Sequence, residues 1–564
     1  MIKKRLIILL MTLPLICFAE NYLIHGGQES SIQYELTQEV TPSGKTKYLK
    51  LSFVIPQAFE SPTYVQQIED FRLDFKPRPS KEDRQQDKRG NQIAVLTWND
   101  PLETVHVSMR FTARNQTILK PLISSAPFPP ADIPREFRDY LDATEQVQSD
   151  HPDLQKKAES LLQGVQTEFD AVQRILTFIV DHVRYVTPPK QYDALYAYQS
   201  GKGNCQNYSH LSAALMRHAG IPVRIVNGVT LKEPYTVKTG DGEYTFKMGQ
   251  GRHSWIEVWF PDLGWVPLDP QQTELFVSNR FVRIEVGLDN NETVNDGSVR
   301  WRQVKNATGR PLFREAINAD FINDNVRLAM AKQNYGPNNI LLCPAVEAGF
   351  QPVIKPPIPL PKTLPDDQLN KMRYTKPFVF GNLDFPQNID FMFTREPAGR
   401  NAEDEYVMKK NFVVETAEYV TTKMTQYAQI VVLKKPVKLR TISLALQKFG
   451  GNGQLWAELL KDNAGKPGHV LATSDFLHLN QLSSRPGYRW VDFDFSQENI
   501  VLSPGSYWIA LGFTGSPIVN WFYTYGKPVG PVYGTRYKGV YDTQWSGALA
   551  YEFNYRISGL TTQQ

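Results

Sequence analysis

The segment from Gly201 to Asp269 constrains the fold more than any other part of the chain. It opens with a glycine-rich turn, Gly201-Lys-Gly-Asn-Cys205, which leads into an amphipathic helix. His253 and Asp269 follow on two short apolar runs that are separated by the turn sequence Pro261-Asp-Leu-Gly264. Helices followed by antiparallel strands are typical of an α+β domain, so this segment predicts one.

A thiol, an imidazole and a carboxylate in this chain order are the parts of a cysteine-nucleophile acyl-transfer site. Cys205 fits the first position of its helix, with Asn204 as the N-cap. The partial positive charge at a helix N-terminus favours a thiolate, and the free amide there can face an oxyanion. We therefore expect Cys205 as nucleophile, His253 as acid–base residue and Asp269 as the residue that orients the imidazole.

Three further residues are candidates for oxyanion or substrate contacts: Gln199, Asn204 and Trp255. Gln199 lies six residues before Cys205, the distance at which papain-like proteases place an oxyanion-stabilising glutamine, although a plain loop residue fits equally. Trp255 shares a strand face with His253 through period-two alternation, so its indole would exclude water. A simple hairpin register sets Asp269 opposite Ile256, on the wrong face, so an offset is required.

The cysteines leave an alternative open. Once an N-terminal segment is removed, Cys205 and Cys343 remain, and two cysteines in an oxidising compartment are compatible with a disulfide. The setting of Cys205 at a helix start favours a free reactive thiol instead. Composition alone does not separate the two.

The N-terminus predicts export. Residues 1–19 combine a basic start, an apolar stretch too short to span a bilayer, and Cys17-Phe-Ala19 with small residues at the cleavage positions. A lipoprotein reading at Cys17 fits less well, because bulky residues precede it. No later stretch predicts a membrane span, so we expect a periplasmic or secreted protein.

The rest of the chain predicts a multidomain protein. We expect an N-terminal β-sandwich, a central α+β core with a helical extension at 318–335, a proline-rich linker, and a C-terminal β-sandwich that acts as an independent targeting module. The predicted ranges are 1–19 for the signal peptide, then 20–130, 131–348, 349–375 and 376–564.

Charge excludes some partners. The net charge of +4 over 564 residues gives no reason to expect nucleic acid. No acidic loop of the EF-hand type is present in the sequence, so we expect no metal and no cofactor.

Five motifs between residues 135 and 275 carry a family resemblance: Tyr192-Asp-Ala-Leu195, Gly201-Lys-Gly-Asn-Cys205, Met216-Arg-His-Ala-Gly-Ile-Pro-Val-Arg224, His253-Ser-Trp-Ile-Glu257 and Gly264-Trp-Val-Pro-Leu-Asp269. Together they resemble the transglutaminase-like superfamily. The resemblance implies a papain-like core, a Cys-His-Asp triad at Cys205, His253 and Asp269, and acyl transfer or hydrolysis at amide bonds. The C-terminal part more weakly resembles jelly-roll domains of exported bacterial proteins.

We therefore expect an exported enzyme that acts on amide bonds of a protein or peptide substrate, with hydrolysis favoured over crosslinking. The alternative is a binding protein with a silent core, whose C-terminal domain binds a glycan or another cell-surface polymer. Its sugar platform would consist of Trp508, Trp521, Tyr523 and Tyr525, residues that are more often plain core.

Overall fold

The computed structural model describes residues 21–563, apart from 121, 123, 187–188, 232–234, 240–241, 247–250, 272–275, 306, 308, 334–340, 343–361, 382–398, 408–417, 486, 525–533, 546 and 550–551. The predicted signal peptide, Cys343, Tyr525 and residues 349–361 of the predicted linker lie outside the described residues. Among the residues that are described, no helix is long and apolar enough to cross a membrane.

Strands alone form the N-terminal part. They are β1 (Asn21–Thr41), β2 (Thr46–Ile55), β3 (Phe59–Glu60), β4 (Tyr64–Lys76), β5 (Lys81–Gln86), β6 (Gln92–Asn99) and β7 (Val105–Leu119).

Helices and a small sheet form the central part. Its elements are a 3-10 helix (Arg135–Leu141), α1 (Pro152–Leu162), α2 (Glu168–His182), β8 (Arg184–Tyr185), α3 (Ala194–Ser200), β9 (Lys202–Gly203), α4 (Cys205–His218), β10 (Val223–Thr230), β11 (Tyr235–Thr239), β12 (Gly242–Phe246), β13 (Gly251–Phe260), β14 (Gly264–Leu268) and β15 (Phe281–Gly287).

Strands again dominate the remainder. Its elements are β16 (Ser298–Gln303), β17 (Leu312–Gln333), β18 (Leu341–Leu342), α5 (Asp366–Lys371), β19 (Tyr374–Gly381), β20 (Gly399–Arg400), β21 (Tyr406–Val407), β22 (Glu418–Thr422), β23 (Thr425–Leu433), β24 (Val437–Asn463), β25 (Lys466–Thr473), β26 (Leu477–His478), β27 (Arg489–Asp494), β28 (Val501–Leu502), β29 (Gly505–Thr524), β30 (Thr535–Gly539), β31 (Ala548–Leu549), β32 (Glu552–Phe553) and β33 (Tyr555–Thr562), with 3-10 turns at Leu479–Gln481 and Ser496–Glu498.

Two sheets of the N-terminal part share one core, and strands from later in the sequence complete both. One sheet has the order β17-β1-β7-β4-β3, and the other has β20-β21-β16-β2-β6-β5. In β7, buried and more exposed residues alternate, as expected for a strand with one face on a core. The central α+β part is thus inserted between strands of the N-terminal sheets.

The helix predicted over 318–335 is wrong. Residues 312–333 form β17, which pairs antiparallel with β1 over its whole length. Its inward residues recur every second position, and Phe313, Ile317, Ala319 and Phe321 pack on the core of the N-terminal sheets. Non-local pairing with a strand about 290 residues earlier outweighed the local helical spacing.

The central part has the predicted order of helices first and antiparallel strands second. Its sheet has the order β14-β13-β10-β15. The core between this sheet and the helices includes Leu176 of α2, Leu211 of α4 and Ile256 of β13, all fully buried. Thr167 is the N-cap of α2, and its Oγ1 accepts from the backbone N–H of Asp170 at 3.2 Å.

The hairpin between β13 and β14 supplies the offset that the site requires. Trp259 pairs with Trp265 and Phe260 with Gly264, so Leu268 lies opposite Ile256. Continued by one residue, this register sets Asp269 beside Trp255, on the strand face of His253. The shift is set by a three-residue loop that ends at Gly264, whose φ of 72° favours glycine.

The C-terminal sheet has the order β19-β33-β24-β29-β23-β30, with further short strands paired to β24 and β29. Its all-β character follows the sequence prediction. The proposed sugar platform on Trp508, Trp521 and Tyr523 is wrong, because all three side chains are fully buried. Trp521 and Tyr523 lie in the main hydrophobic core of this part, and Trp508 lies in a smaller cluster with Ile430 and Leu460, so all three large aromatic side chains are buried.

We predict that Gly264→Ala destabilises the protein by about 1–2 kcal/mol, because an L-residue is strained at this positive φ. Gly44→Ala is the control: Gly44 is exposed, and no atom lies within 4 Å of an added Cβ. Urea denaturation of both full-length variants gives the free energies of unfolding. Equal stability of the two variants would contradict the hairpin geometry.

Candidate active site

Cys205 stands where the sequence places it, as the first residue of α4. It is a free cysteine, partly accessible. The side chain of Asn204 accepts from the backbone N–H of Gln206 at 3.1 Å, and Oδ1 of Asn207 accepts from the backbone N–H of Asn204 at 3.1 Å. Asn204 is therefore the helix cap, and its side-chain hydrogen bond is made within that cap.

Asn207 holds the turn that presents Cys205. Its buried amide nitrogen donates to the carbonyl oxygens of Gln191 and Asp193, at 3.0 and 3.1 Å. A Cβ on Gly203 would lie 2.3 Å from Cβ of Asn207, so glycine is required there by this close packing.

His253 and Asp269 meet as predicted. Nε2 of His253 donates to Oδ2 of Asp269 at 2.8 Å, and both side chains are buried. Cys205 is hydrogen-bonded to the same imidazole. Because Nε2 is engaged by Asp269, Nδ1 is the ring nitrogen left to face the thiol. The three candidate catalytic side chains thus form one connected unit.

Electrostatics favour the charged imidazole. Burial alone lowers the pKa of His253, but the charge and hydrogen bond of Asp269, with the contact to Cys205, outweigh it. The net result raises the pKa of His253 from 6.5 to about 10. An imidazolium beside a cysteine is the arrangement that activates a thiol nucleophile.

Two aromatic rings enclose the imidazole. The Trp255 ring centroid lies 5.9 Å from that of His253, and the Phe281 ring meets His253 edge-on at 5.3 Å. The two rings also pack on each other at 5.2 Å. Trp255 is therefore a wall of the site that limits water around the ion pair, as its strand position predicted.

The N-terminal sheets support this wall directly. The hydroxyl of Tyr64 and the amide of Asn115 both donate to the carbonyl oxygen of Phe281, at 2.7 and 2.8 Å. Oγ1 of Thr117 donates to the carbonyl oxygen of Val277 at 2.9 Å. The position of Phe281 against His253 therefore depends on β4 and β7.

Gln199 is not placed as an oxyanion residue. It lies in α3 with an exposed side chain, and its amide nitrogen is 3.5 Å from Oδ2 of Asp153. The papain-like spacing was misleading here. Gln199 is the penultimate residue of α3, and its side chain is exposed to solvent.

Gln271 is a site residue that the sequence interpretation missed. Its backbone N–H donates to Oδ1 of Asp269 at 3.2 Å, and its amide nitrogen lies 3.5 Å from Nδ1 of His253. Its Oε1 is buried without a hydrogen-bond partner among the described residues. An aspartate commonly accepts from the backbone two residues on, so position 271 could have been inspected from the sequence.

Glu257 and His210 have structural roles beside the site. Glu257 is fully buried and pairs with Arg224 at 2.5 Å and Arg283 at 2.7 Å, which lowers the pKa of this carboxyl despite its burial. Nδ1 of His210 lies 2.6 Å from the carbonyl oxygen of Tyr192. Both brace the elements that carry the triad.

Residues 155–270 match the family model of the transglutaminase-like superfamily. The matched range contains all three members of the Cys-His-Asp unit. The predicted family is therefore confirmed for the central part.

Two relatives match a short part of the chain. YebA of Bacillus subtilis (strain 168), an uncharacterised protein, is 32% identical over 94 residues, which are 17% of this chain and 13% of that protein. A protein-glutamine gamma-glutamyltransferase of Pseudomonas aeruginosa is 32% identical over 75 residues, which are 13% of this chain and 11% of the relative. The chain thus spans a small fraction of the length of both relatives.

Solved structures give weaker similarity. A protein of Cytophaga hutchinsonii, provisionally assigned as a cysteine protease, is 18% identical over 55% of this chain and 100% of its own, with a TM-score of 0.38. The periplasmic domain of TgpA from Pseudomonas aeruginosa is 16% identical over 42% of this chain and 87% of its own, with a TM-score of 0.23. The family assignment rests on the sequence match rather than on these superpositions.

We predict that Asp269→Asn removes pH-dependent stability. The pKa of His253 is raised in the folded state, so the ion pair stabilises fully below about pH 6.5 and loses its effect as the pH rises through about 10. The stability gap between wild type and variant should therefore be larger at about pH 6 than at pH 8, and it should narrow toward pH 10.

Urea denaturation across this range measures the gap. Both proteins carry Cys205→Ala, so that ionisation of the thiol does not contribute. Because Cys205 also helps to raise the pKa of His253, the gap should close at a lower pH in this background. A gap that stays constant with pH would contradict the assignment of charge to His253.

Proposed function

We propose that this protein is an exported cysteine enzyme that hydrolyses amide bonds of proteins or peptides through an acyl-thioester. One observation carries the proposal: the buried 2.8 Å contact between His253 and Asp269, joined to Cys205 at the start of a helix. The family match over residues 155–270 supports the same chemistry. Export is inferred from the pattern of residues 1–19.

In the acylation step, the Cys205 sulfur forms a bond to the substrate carbonyl carbon. The carbonyl electron pair moves to oxygen, where the backbone N–H at the start of α4 is oriented to stabilise it. When the intermediate collapses, the C–N bond breaks and His253 transfers its proton to the departing amine. The enzyme then holds the acyl group as a thioester.

In the deacylation step, neutral His253 takes a proton from water while the water oxygen forms a bond to the thioester carbon. The C–S bond breaks, the acid leaves, and the sulfur regains its place beside the imidazolium. Asp269 keeps Nε2 occupied throughout, so that Nδ1 serves both proton transfers.

Crosslinking is the second candidate, since a primary amine can replace water in the second step. The similarity to a protein named as a protein-glutamine gamma-glutamyltransferase favours it. Hydrolysis is preferred because water requires no dedicated acceptor site. A silent core with a glycan-binding C-terminal domain is the remaining alternative.

We predict that Cys205→Ala and His253→Ala each lower kcat on a peptide amide by up to ~10⁶-fold, and Asp269→Ala by about 10⁴-fold, because Asp269 orients and does not react. His218→Ala is the matched control: it removes a histidine from the end of α4, where it lies 3.6 Å from Glu159. Activity assays and circular dichroism are run on all four variants.

The assignment would be refuted by a folded His253→Ala variant with undiminished turnover. Iodoacetamide labelling of the wild type near pH 7 tests the thiol separately, with Cys343 as the internal reference. Faster modification of Cys205 supports the nucleophile, whereas a mapped disulfide between the two cysteines supports the inert alternative.

We predict that hydrolysis dominates even when an amine is present. A glutamine-containing peptide is incubated with a fluorescent primary amine at millimolar concentration, and mass spectrometry quantifies deamidated or cleaved product against amine adduct. Mostly hydrolysed product is expected, because attack by water requires no dedicated acceptor site. A majority of adduct would assign the protein to crosslinking instead.

A further inference from the structure

The C-terminal sheet contacts the segment that immediately supports the catalytic turn. Arg184 of β8 donates through its guanidinium to the carbonyl oxygen of Gly381, and it lies over the ring of Phe380 at 4.8 Å. Both partners belong to β19, the edge strand of the C-terminal sheet. The planar guanidinium thus makes a hydrogen bond and a cation–π contact with one strand.

The backbone around Arg184 continues this contact to the nucleophile. The N–H of Arg184 donates to the carbonyl oxygen of Gly201 at 2.8 Å, and the N–H of Val186 donates to that of Gly203 at 2.9 Å. These bonds pair β8 with β9 in parallel. Gly203 is two residues before Cys205, so the turn that presents the thiol is fixed on one side by β8.

The helix of Cys205 is joined to the same segment. The Tyr208 hydroxyl, one turn after Cys205, donates to the carbonyl oxygen of Val183 at 2.5 Å. Tyr208 also interacts electrostatically with Glu552, and Arg184 does so with Tyr555. Glu552 and Tyr555 belong to the C-terminal sheet, which therefore lies near this segment.

A second contact involves the segment before His253. The hairpin of β11 and β12 connects β10 to β13, the strand that carries His253. Its strand β12 pairs in parallel with β31 of the C-terminal part, through Tyr244 with Ala548 and Thr245 with Leu549. The C-terminal part therefore contacts the chain shortly before both the nucleophile and the acid–base residue.

We propose that the C-terminal domain is a working part of the catalytic unit, and that Arg184 is the positioning residue through which it fixes the Cys205 turn. The inference rests on the proposed function for its kinetic readout. It departs from the sequence expectation of an independent module that only tethers the enzyme. A tether would require no contact to the strand beside the catalytic turn.

Arg184→Ala in the full-length protein tests the proposal. We expect kcat on a small soluble amide to fall about 10-fold with KM changed less than twofold, because displacements below 1 Å at a reacting atom cost this much. Arg184→Lys, which keeps the charge but loses the planar fork, should recover part of the loss. Arg174→Ala is the control, since Arg174 also bonds backbone carbonyls, at Leu161 and Gln163, but within the helical region.

Alkylation of Cys205 by iodoacetamide is the second readout, and it needs no substrate. The rate should fall in Arg184→Ala and stay unchanged in Arg174→Ala. If the wild type hydrolyses no amide but this difference persists, the proposed function fails and the positioning role stands. Wild-type kcat and alkylation rate in Arg184→Ala would overturn the positioning role.

Phe380→Ala covers the case in which Arg184→Ala does not fold. It removes the ring beneath the guanidinium from the C-terminal side and leaves β8 unchanged. A smaller loss of kcat and alkylation rate in the same direction supports the proposal. Unchanged values in a folded Phe380→Ala variant would count against it.

Discussion

The buried pair of His253 and Asp269 is the interaction on which the rest of the structure depends. Two charges removed from water are costly unless each is paired and held in good geometry. Oδ2 of Asp269 accepts from the imidazole, and Oδ1 accepts from the backbone N–H of Gln271. Trp255 and Phe281 exclude water around the pair. The scaffold therefore has to hold two strands, a turn and two rings in fixed relation.

The N-terminal sheets hold the elements around His253 and Asp269 in place as much as the central part does. Arg252, the residue before His253, is buried and pairs with Asp296 at 2.6 Å and with Glu315 of β17 at 3.3 Å. Gln38 of β1 donates to the same Glu315 carboxylate at 2.6 Å. Removing one partner of such a network leaves a buried charge unpaired. The N-terminal sheets are thus built into the site, which explains why their strands both precede and follow the central part in sequence.

Local signals predicted the nucleophile, its cap and the strands of the site, because helix caps and turns depend on neighbouring residues alone. The same reasoning failed at 312–333, where the local sequence predicts a helix. Pairing with β1, which is distant in sequence, makes this segment a strand instead. The register that turns Asp269 toward His253 depends on the conformation of Gly264, which the residue type permits but does not dictate. Gln271 was missed and Gln199 overrated for one reason: sequence spacing does not show which way a side chain points.

The C-terminal part adds a constraint from the opposite end of the chain. A thiol at a helix start is positioned by the turn before it, and this turn is bonded on one side to Asn207 and on the other to β8. Asn207 ties this turn to the segment before α3, through the carbonyl oxygens of Gln191 and Asp193. β8 is held by Arg184 against Gly381 and Phe380. The position of the nucleophile therefore also depends on the contact with the C-terminal sheet, whereas the position of the imidazole depends on the N-terminal sheets through Phe281. Bringing sulfur and imidazole together consequently requires all three parts of the chain to pack as one body.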